Sequence, residues 1–334
     1  MTEPVNVLEA MDVKKFYYRA EKQVARDGRV RRRTTIESVG GVSLSIQRGE
    51  ILGILGETGC GKSTLGRVLI GLEAPTSGSI ALNGEPIGAI AKRGRELRRR
   101  AQMIFQNPFD VFDSRHKIEK ILTRALDLHN IGGSAGERLD LVRTTLERYG
   151  LSPGADFGRR YPGELSGGQL QRISIIRSIL LKPDFVVADE PVSMLDVSVR
   201  ADIINMIRKL TNESRMAVAF ISHDIATTKY IADRIAVMYL GQIVETGRTA
   251  DVIENPRHPY TKALISNCPS ADPCVAFTPI KLAGDPPSPA KLPPGCYFSP
   301  RCAENRPDCF KEDQQLIKLE DKRLVRCRYA DQAR

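Results

Sequence analysis

Three short apolar runs stand out along the chain: Glu50-Ile-Leu-Gly-Ile-Leu55, Phe185-Val-Val-Ala188 and Ala217-Val-Ala-Phe-Ile221. Runs of this length with no polar alternation suit strands buried on both faces of a parallel sheet. Each ends at a glycine-rich or polar string, and open α/β sheets bind ligands at the carboxyl ends of their strands. Asn83-Gly84, between two strand-like runs, predicts a hairpin turn. From about residue 108 to 180 the period becomes helical, with Leu170, Ile173, Ile176 and Leu180 on one helix face. After residue 250 the composition changes. Asp285-Pro-Pro-Ser-Pro-Ala-Lys-Leu-Pro-Pro-Gly295 excludes a helix or a central strand, and cysteines gather behind it. The pattern predicts an α/β domain over residues 1–250, a helical subdomain over about 107–180 and a separate extension over 251–334, with no internal repeat.

The first apolar run feeds Gly56-Glu57-Thr58-Gly59-Cys60-Gly61-Lys62-Ser63-Thr64. This fits the phosphate-binding P-loop, in which backbone N–H groups of a Gly-rich turn wrap phosphate oxygens at a helix N-terminus. Lys62 then reaches the β and γ phosphates and the Ser63 hydroxyl is placed for Mg²⁺. About a hundred residues later Ser166-Gly167-Gly168-Gln169 opens a second helix. It is a second anion-binding helix start, and a single nucleotide does not need two.

The chain has 334 residues and 41% hydrophobic content, enough to bury a real core. No apolar run reaches the roughly 18–20 residues of a membrane-spanning helix, and the polar start is not that of a signal peptide. A soluble, cytoplasmic protein is expected. The net charge of +10 comes largely from local clusters such as Arg29-Val-Arg-Arg-Arg33 and Arg98-Arg-Arg100. These read as solvated faces, with contact to anionic inner-leaflet lipid as the other use of such charge.

With both motifs in place, the chain resembles the ATPase subunit of ATP-binding cassette (ABC) transporters over nearly its whole length. The resemblance implies a RecA-like P-loop NTPase core with an antiparallel β subdomain and a helical subdomain. It also implies work in pairs, with Ser166, Gly167, Gly168 and Gln169 of one subunit closing on ATP held by the P-loop of the other. Asp184-Phe-Val-Val-Ala-Asp189-Glu190 resembles a Walker B strand: Asp189 serves Mg²⁺, and Glu190 is the general base or water-orienting group. His223, in Ile-Ser-His-Asp, matches the switch histidine that contacts the γ-phosphate. Gln106, in Phe-Gln-Asn-Pro, matches the Q-loop glutamine, which reaches Mg²⁺ and the water where the helical subdomain meets the membrane subunit. Ser193-Met-Leu-Asp196 fits the D-loop, with Met194 in place of the commoner Ala. Phe16 is the best match for the ring that stacks on adenine, with Tyr17 and Tyr18 as rivals. The register is open because residues 19–35 are long and basic for a loop between two strands, with a solvated hairpin as the equal alternative.

The C-terminal part resembles one branch, the oligopeptide/dipeptide importer ATPases, whose relatives also serve nickel, glutathione and some oligosaccharides. Asn255-Pro-Arg-His-Pro-Tyr-Thr-Lys-Ala-Leu264 and Leu292-Pro-Pro-Gly-Cys-Tyr-Phe-Ser-Pro-Arg-Cys302 carry that likeness. It implies a second, non-identical ATPase, two integral-membrane permeases and an extracytoplasmic solute-binding protein as partners. The subunit would then lie on the cytoplasmic face of the inner membrane. Of seven cysteines, Cys60 is incidental to the P-loop, and Cys268 and Cys274 lack partners of obvious spacing. Cys296, Cys302, Cys309 and Cys327 follow the spacing x5, x6, x17. Cytoplasmic disulfides are not expected, and structural zinc wants a tighter Cys-x2–4-Cys knuckle. Wider spacing suits a [4Fe–4S] cluster, with Arg301, Arg306, Lys311, Arg326 and Arg328 nearby to offset its negative charge. The branch resemblance points the same way, and zinc or unligated thiols stay as alternatives. Two other functions compete: a soluble ABC ATPase acting on nucleic acid or ribosomes, and an iron–sulfur sensor that has lost hydrolysis. No second cassette or long coiled coil favours the first, so no nucleic-acid partner is expected, and intact Glu190 and His223 oppose the second.

Overall fold

The structure is a computed structural model that describes residues 5–25, 28–268 and 278–330. The chain forms two compact units, each built from discontinuous segments.

The first unit holds residues 81–221 with short segments before residue 52. Its strands Ala101–Ile104, Phe185–Asp189 and Ala217–Ser222 lie parallel in that order, with Phe185 opposite both Ala101 and Ala217, and Asp189 opposite Ile221. Every residue of the latter two strands is buried, which is why they read as unbroken apolar runs. Arg100 holds the entry to the middle strand through Asp184 at 2.7 Å. Helix Gly167–Ile179 buries Leu170, Ile173 and Ile176, while Leu180 caps it, as the 3.6-residue period requires. Helices Ile118–Leu128, Ala135–Arg148 and Gly154–Arg159 complete the helical region and pack on Leu122, Leu126, Val142 and Leu146. Asn83 and Gly84 both take positive φ, 51° and 76°, as the predicted hairpin between Ser77–Leu82 and Glu85–Pro86 demands.

In the second unit Ile51–Leu55 runs parallel to Arg234–Tyr239, which pairs antiparallel with Gln242–Arg248. Leu324–Val325 pairs with Gln242–Arg248 on its other side, and Ile317–Lys318 follows outermost. A second sheet places Gly28–Gln47, Asn6–Ala25 and Ser77–Leu82 side by side. Its two long strands extend through the basic residues 20–25 and 28–33, which takes the hairpin rather than the loop of the two expected forms. Residues 251–268 and 278–330 belong to the same compact unit as the P-loop. Among the described residues no helix is long and apolar enough to cross a membrane.

Candidate active site

The P-loop leaves the buried strand Ile51–Leu55 and ends on helix Lys62–Leu69. Two close approaches explain its glycines. A Cβ on Gly56 would lie 2.3 Å from the Met238 carbonyl oxygen, and one on Gly61 would lie 2.1 Å from that of Ser38, at a φ of +101°. Gly61 is also the helix cap and has no side chain to satisfy the N–H groups of the first turn, the arrangement that takes an anion. Lys62 is 5% exposed, and its ammonium donates to the carbonyls of Gly56 at 2.8 Å and Glu57 at 3.0 Å. The Ser38 hydroxyl donates to that of Thr64 at 3.0 Å. Thr58 and Gly59 are exposed, Ser63 is half-buried, and Cys60 is buried beside the Lys62 ammonium at 4.0 Å. Burial pushes the Cys60 thiol up from its ordinary pKa. His223 is exposed just past Ala217–Ser222, on a turn pinned by Asp224, whose N–H donates to Ser222 and whose carboxylate caps helix Ile225–Ile231.

Phe16 and Tyr17, the two neighbouring candidates for the stacking ring, have different surroundings. Alternate residues of the strand Asn6–Ala25 face opposite ways. Phe16 lines a polar cavity of about 310 Å³ with Lys14, Glu37, Tyr297 and Arg326. Tyr17 points to the P-loop helix side: its hydroxyl bonds Glu73, and Thr64 is a further partner.

In the other unit Asp189 ends its strand at 7% exposure. Glu190 follows with φ +46°, a left-handed value that is costly for a non-glycine residue, of order 1–3 kcal/mol. Its N–H donates to the Ile221 carbonyl at 3.0 Å, which holds it there. Gln106 Nε2 lies 3.3 Å from Glu190 Oε2 and 3.3 Å from Ser193 Oγ, while the Ser193 hydroxyl donates to the Glu190 carbonyl at 3.1 Å. Gln106, Glu190 and Ser193 therefore form one hydrogen-bonded group, and Ser193 is a member that sequence reasoning placed only in the D-loop string. Ser166 caps helix Gly167–Ile179 by accepting from Gln169 N–H at 3.3 Å, while Gln169 Oε1 accepts from Ser166 N–H at 3.1 Å. The spacing S-x-x-Q is a capping box, a signal legible in the sequence that was read only as an anion site. Accepting at the cap leaves the Ser166 hydroxyl proton to donate outward. A Cβ on Gly168 would meet Val199 Cγ1 at 2.5 Å, so close packing on helix Val197–Ser214 is a second reason for that glycine. Asp196 stands at the N-cap position of that helix without a side-chain cap bond, between Met194 and Val197, which are 62% and 80% exposed.

Cys296, Cys302, Cys309 and Cys327 line one cavity with His258, Phe298, Ser299, Glu304 and Tyr329. None is in a disulfide. Cys268 lies elsewhere, and Cys274 falls outside the described residues. Burial pushes the Cys302 thiol up to about 12, and the nearby Glu304 carboxylate adds to the rise. Backbone N–H groups of Phe298 and Ser299 face Cys296, that of Glu304 faces Cys302 and that of Tyr329 faces Cys327. Among the described residues no three His, Cys, Asp or Glu side chains are set to hold a single metal ion.

A P-loop after one buried strand and adjacent carboxylates ending another define a nucleoside-triphosphate-binding ATPase. The ABC transporter family model matches residues 39–193, and the model for the oligopeptide/dipeptide transporter C-terminal region matches 244–309. The chain is 43% identical over 299 residues to a putative oligopeptide transport ATP-binding protein, YkfD, of Bacillus subtilis, covering 89% of this chain and 90% of the relative. It is 41% identical over 326 residues to the dipeptide transport ATP-binding protein DppF of Haemophilus influenzae, covering 97% of each. A dimeric ATP-binding cassette solved in a post-hydrolysis state with ADP and Pi superposes with a TM-score of 0.61 at 23% identity, over 72% of this chain and 98% of that one, and shows the fold. The chain belongs to the ATP-binding proteins of ABC transporters, in the oligopeptide/dipeptide transport branch. It is an ATPase of the P-loop NTPase fold.

Proposed function

We propose that this subunit hydrolyses ATP to drive import of a peptide or a chemically related solute, as one of two paired ATPases beneath two membrane permeases fed by a solute-binding protein. The observation that carries the hydrolytic role is the Gln106–Glu190 contact at 3.3 Å beside Asp189 at a buried strand end. The solute class rests on the relatives, named for oligopeptide and dipeptide transport. Lys62 and the P-loop N–H groups take the phosphates; Ser63, Asp189 and Gln106 are the residues that would hold Mg²⁺. Glu190 takes the proton of the attacking water, His223 contacts the γ-phosphate, and Ser166, Gly167, Gly168 and Gln169 serve the partner's nucleotide alongside Asp196. The exposed Met194 and Val197 suit burial against that partner. Tyr17 is the adenine-stacking ring, since it lies with Thr64 while Phe16 faces a different cavity. Peripheral attachment to the cytoplasmic face of the membrane follows from the permeases. In proteoliposomes holding the whole complex, a labelled di- or oligopeptide accumulates only with ATP and the binding protein. Accumulation of another solute with no peptide uptake would reassign the substrate.

We propose that the four thiols hold a [4Fe–4S] cluster: all four cysteines line one cavity, and backbone N–H groups face three of them. Such a group would crosslink a Pro-rich segment that has little core of its own. Anaerobically purified protein is expected to be brown and to hold about four irons per chain. About one zinc, or no metal, would overturn it.

A further inference from the structure

Arg301 ends the short turn Ser299–Arg301, one residue before Cys302, and is 8% exposed. Its guanidinium grips Glu57 of the P-loop with both terminal nitrogens: Nη1 lies 3.0 Å from Oε2, and Nη2 lies 3.3 Å from Oε1. Nη1 also lies 3.4 Å from the Tyr239 hydroxyl, with the guanidinium 5.9 Å from that ring's centre. The Glu57 backbone is held as well, because its N–H donates to the Tyr260 hydroxyl at 3.0 Å. Tyr260 is fully buried, 4.7 Å from Tyr239 and 5.5 Å from Phe298 between ring centres. Phe298 and Arg301 both come from the segment between Cys296 and Cys302.

One P-loop residue is thus fixed through its side chain and its amide by residues 244 and 203 positions further along the chain. The Glu57 carbonyl is one of the two on which the Lys62 ammonium rests. A forked Arg–carboxylate pair with the arginine buried is directional and stronger than an exposed pair. An unrestrained Gly-rich turn loses conformational entropy on closing round phosphate, and a turn already held loses less.

We infer that Arg301 and Tyr260 are positioning residues for the P-loop, through which the cysteine segment sets the affinity of the site for nucleotide. The inference rests on the nucleotide reading of the P-loop and adds to it a control from the far end of the chain. It predicts coupling between residues 57 and 301 in binding. A weld that only held the segment in place would lower the melting temperature and leave the affinity of the folded protein unchanged.

The test is titration of the full chain with a fluorescent ATP analogue, together with thermal unfolding. Arg301→Gln and Glu57→Gln each weaken binding about tenfold, and the double substitution is no weaker than either alone, as expected when two residues act as one contact. Arg301→Lys, which keeps the charge without the fork, weakens binding less than Arg301→Gln. Affinity within about twofold of the unmodified chain in folded Arg301→Gln, or losses that simply add, would overturn the inference. Should Arg301→Gln not fold, Tyr260→Phe removes only the hydroxyl that accepts from Glu57, and unchanged affinity there and in Glu57→Gln overturns it equally. If the unmodified chain bound no analogue, the nucleotide reading itself would fall instead.

Discussion

Glu190→Gln is expected to leave nucleotide affinity within about twofold of the unmodified chain and to lower ATP turnover by roughly 10³, inside the range for loss of a general base. The amide has the volume of the carboxylate and still offers an oxygen to Gln106 Nε2, so the contact at 3.3 Å survives. The left-handed backbone at φ +46° is held by the N–H donation to Ile221 and is indifferent to the side-chain charge. Only the capacity to take a proton from water is lost. Phosphate release by the assembled complex reads this directly, and turnover near that of the unmodified protein would remove Glu190 from its role.

Lys62→Ala should fail a step earlier. The ammonium sits at 5% exposure on two P-loop carbonyls, already desolvated and aimed into the turn. Hydrogen bonds from a charged donor contribute roughly 1.5–3 kcal/mol each, so losing those to the β and γ phosphates weakens binding by about 100-fold. The same titration with Tyr17→Ala and Phe16→Ala separates the two aromatic assignments, since only loss of the stacking ring weakens adenine binding. Nucleotide affinity unchanged by Lys62→Ala would count against the whole P-loop assignment.

What the sequence carried clearly were features that are local. Unbroken apolar runs, the Asn83-Gly84 turn and the face formed by Leu170, Ile173 and Ile176 each follow from a few neighbouring residues. The phosphate loop was legible for the same reason, because the tight approaches at Gly56 and Gly61 admit no other residue. The ring choice between Phe16 and Tyr17 was not, because one position along a strand reverses the face and no local signal sets the register. The charge of residues 20–25 and 28–33 left loop and solvated hairpin equally open, and their backbone is strand. Least visible were contacts of long range. Nothing near Glu57 announces Arg301, and nothing near Arg301 but a row of cysteines announces a role at the nucleotide.

The pairing of Leu324–Val325 with Gln242–Arg248 has a practical consequence. A protein cut at residue 250 would keep every ATP motif and lose the strand that covers that edge of its sheet. An uncovered edge offers a row of unpaired backbone groups to any other chain, and is a site of aggregation. The cut would also take Arg323 from beside Glu245, whose carboxylate is 0% exposed, and leave that buried charge without its cation at 3.6 Å. The smallest piece that stays dispersed in solution therefore runs past residue 325, and the nucleotide-binding half cannot be expressed as a clean, portable module.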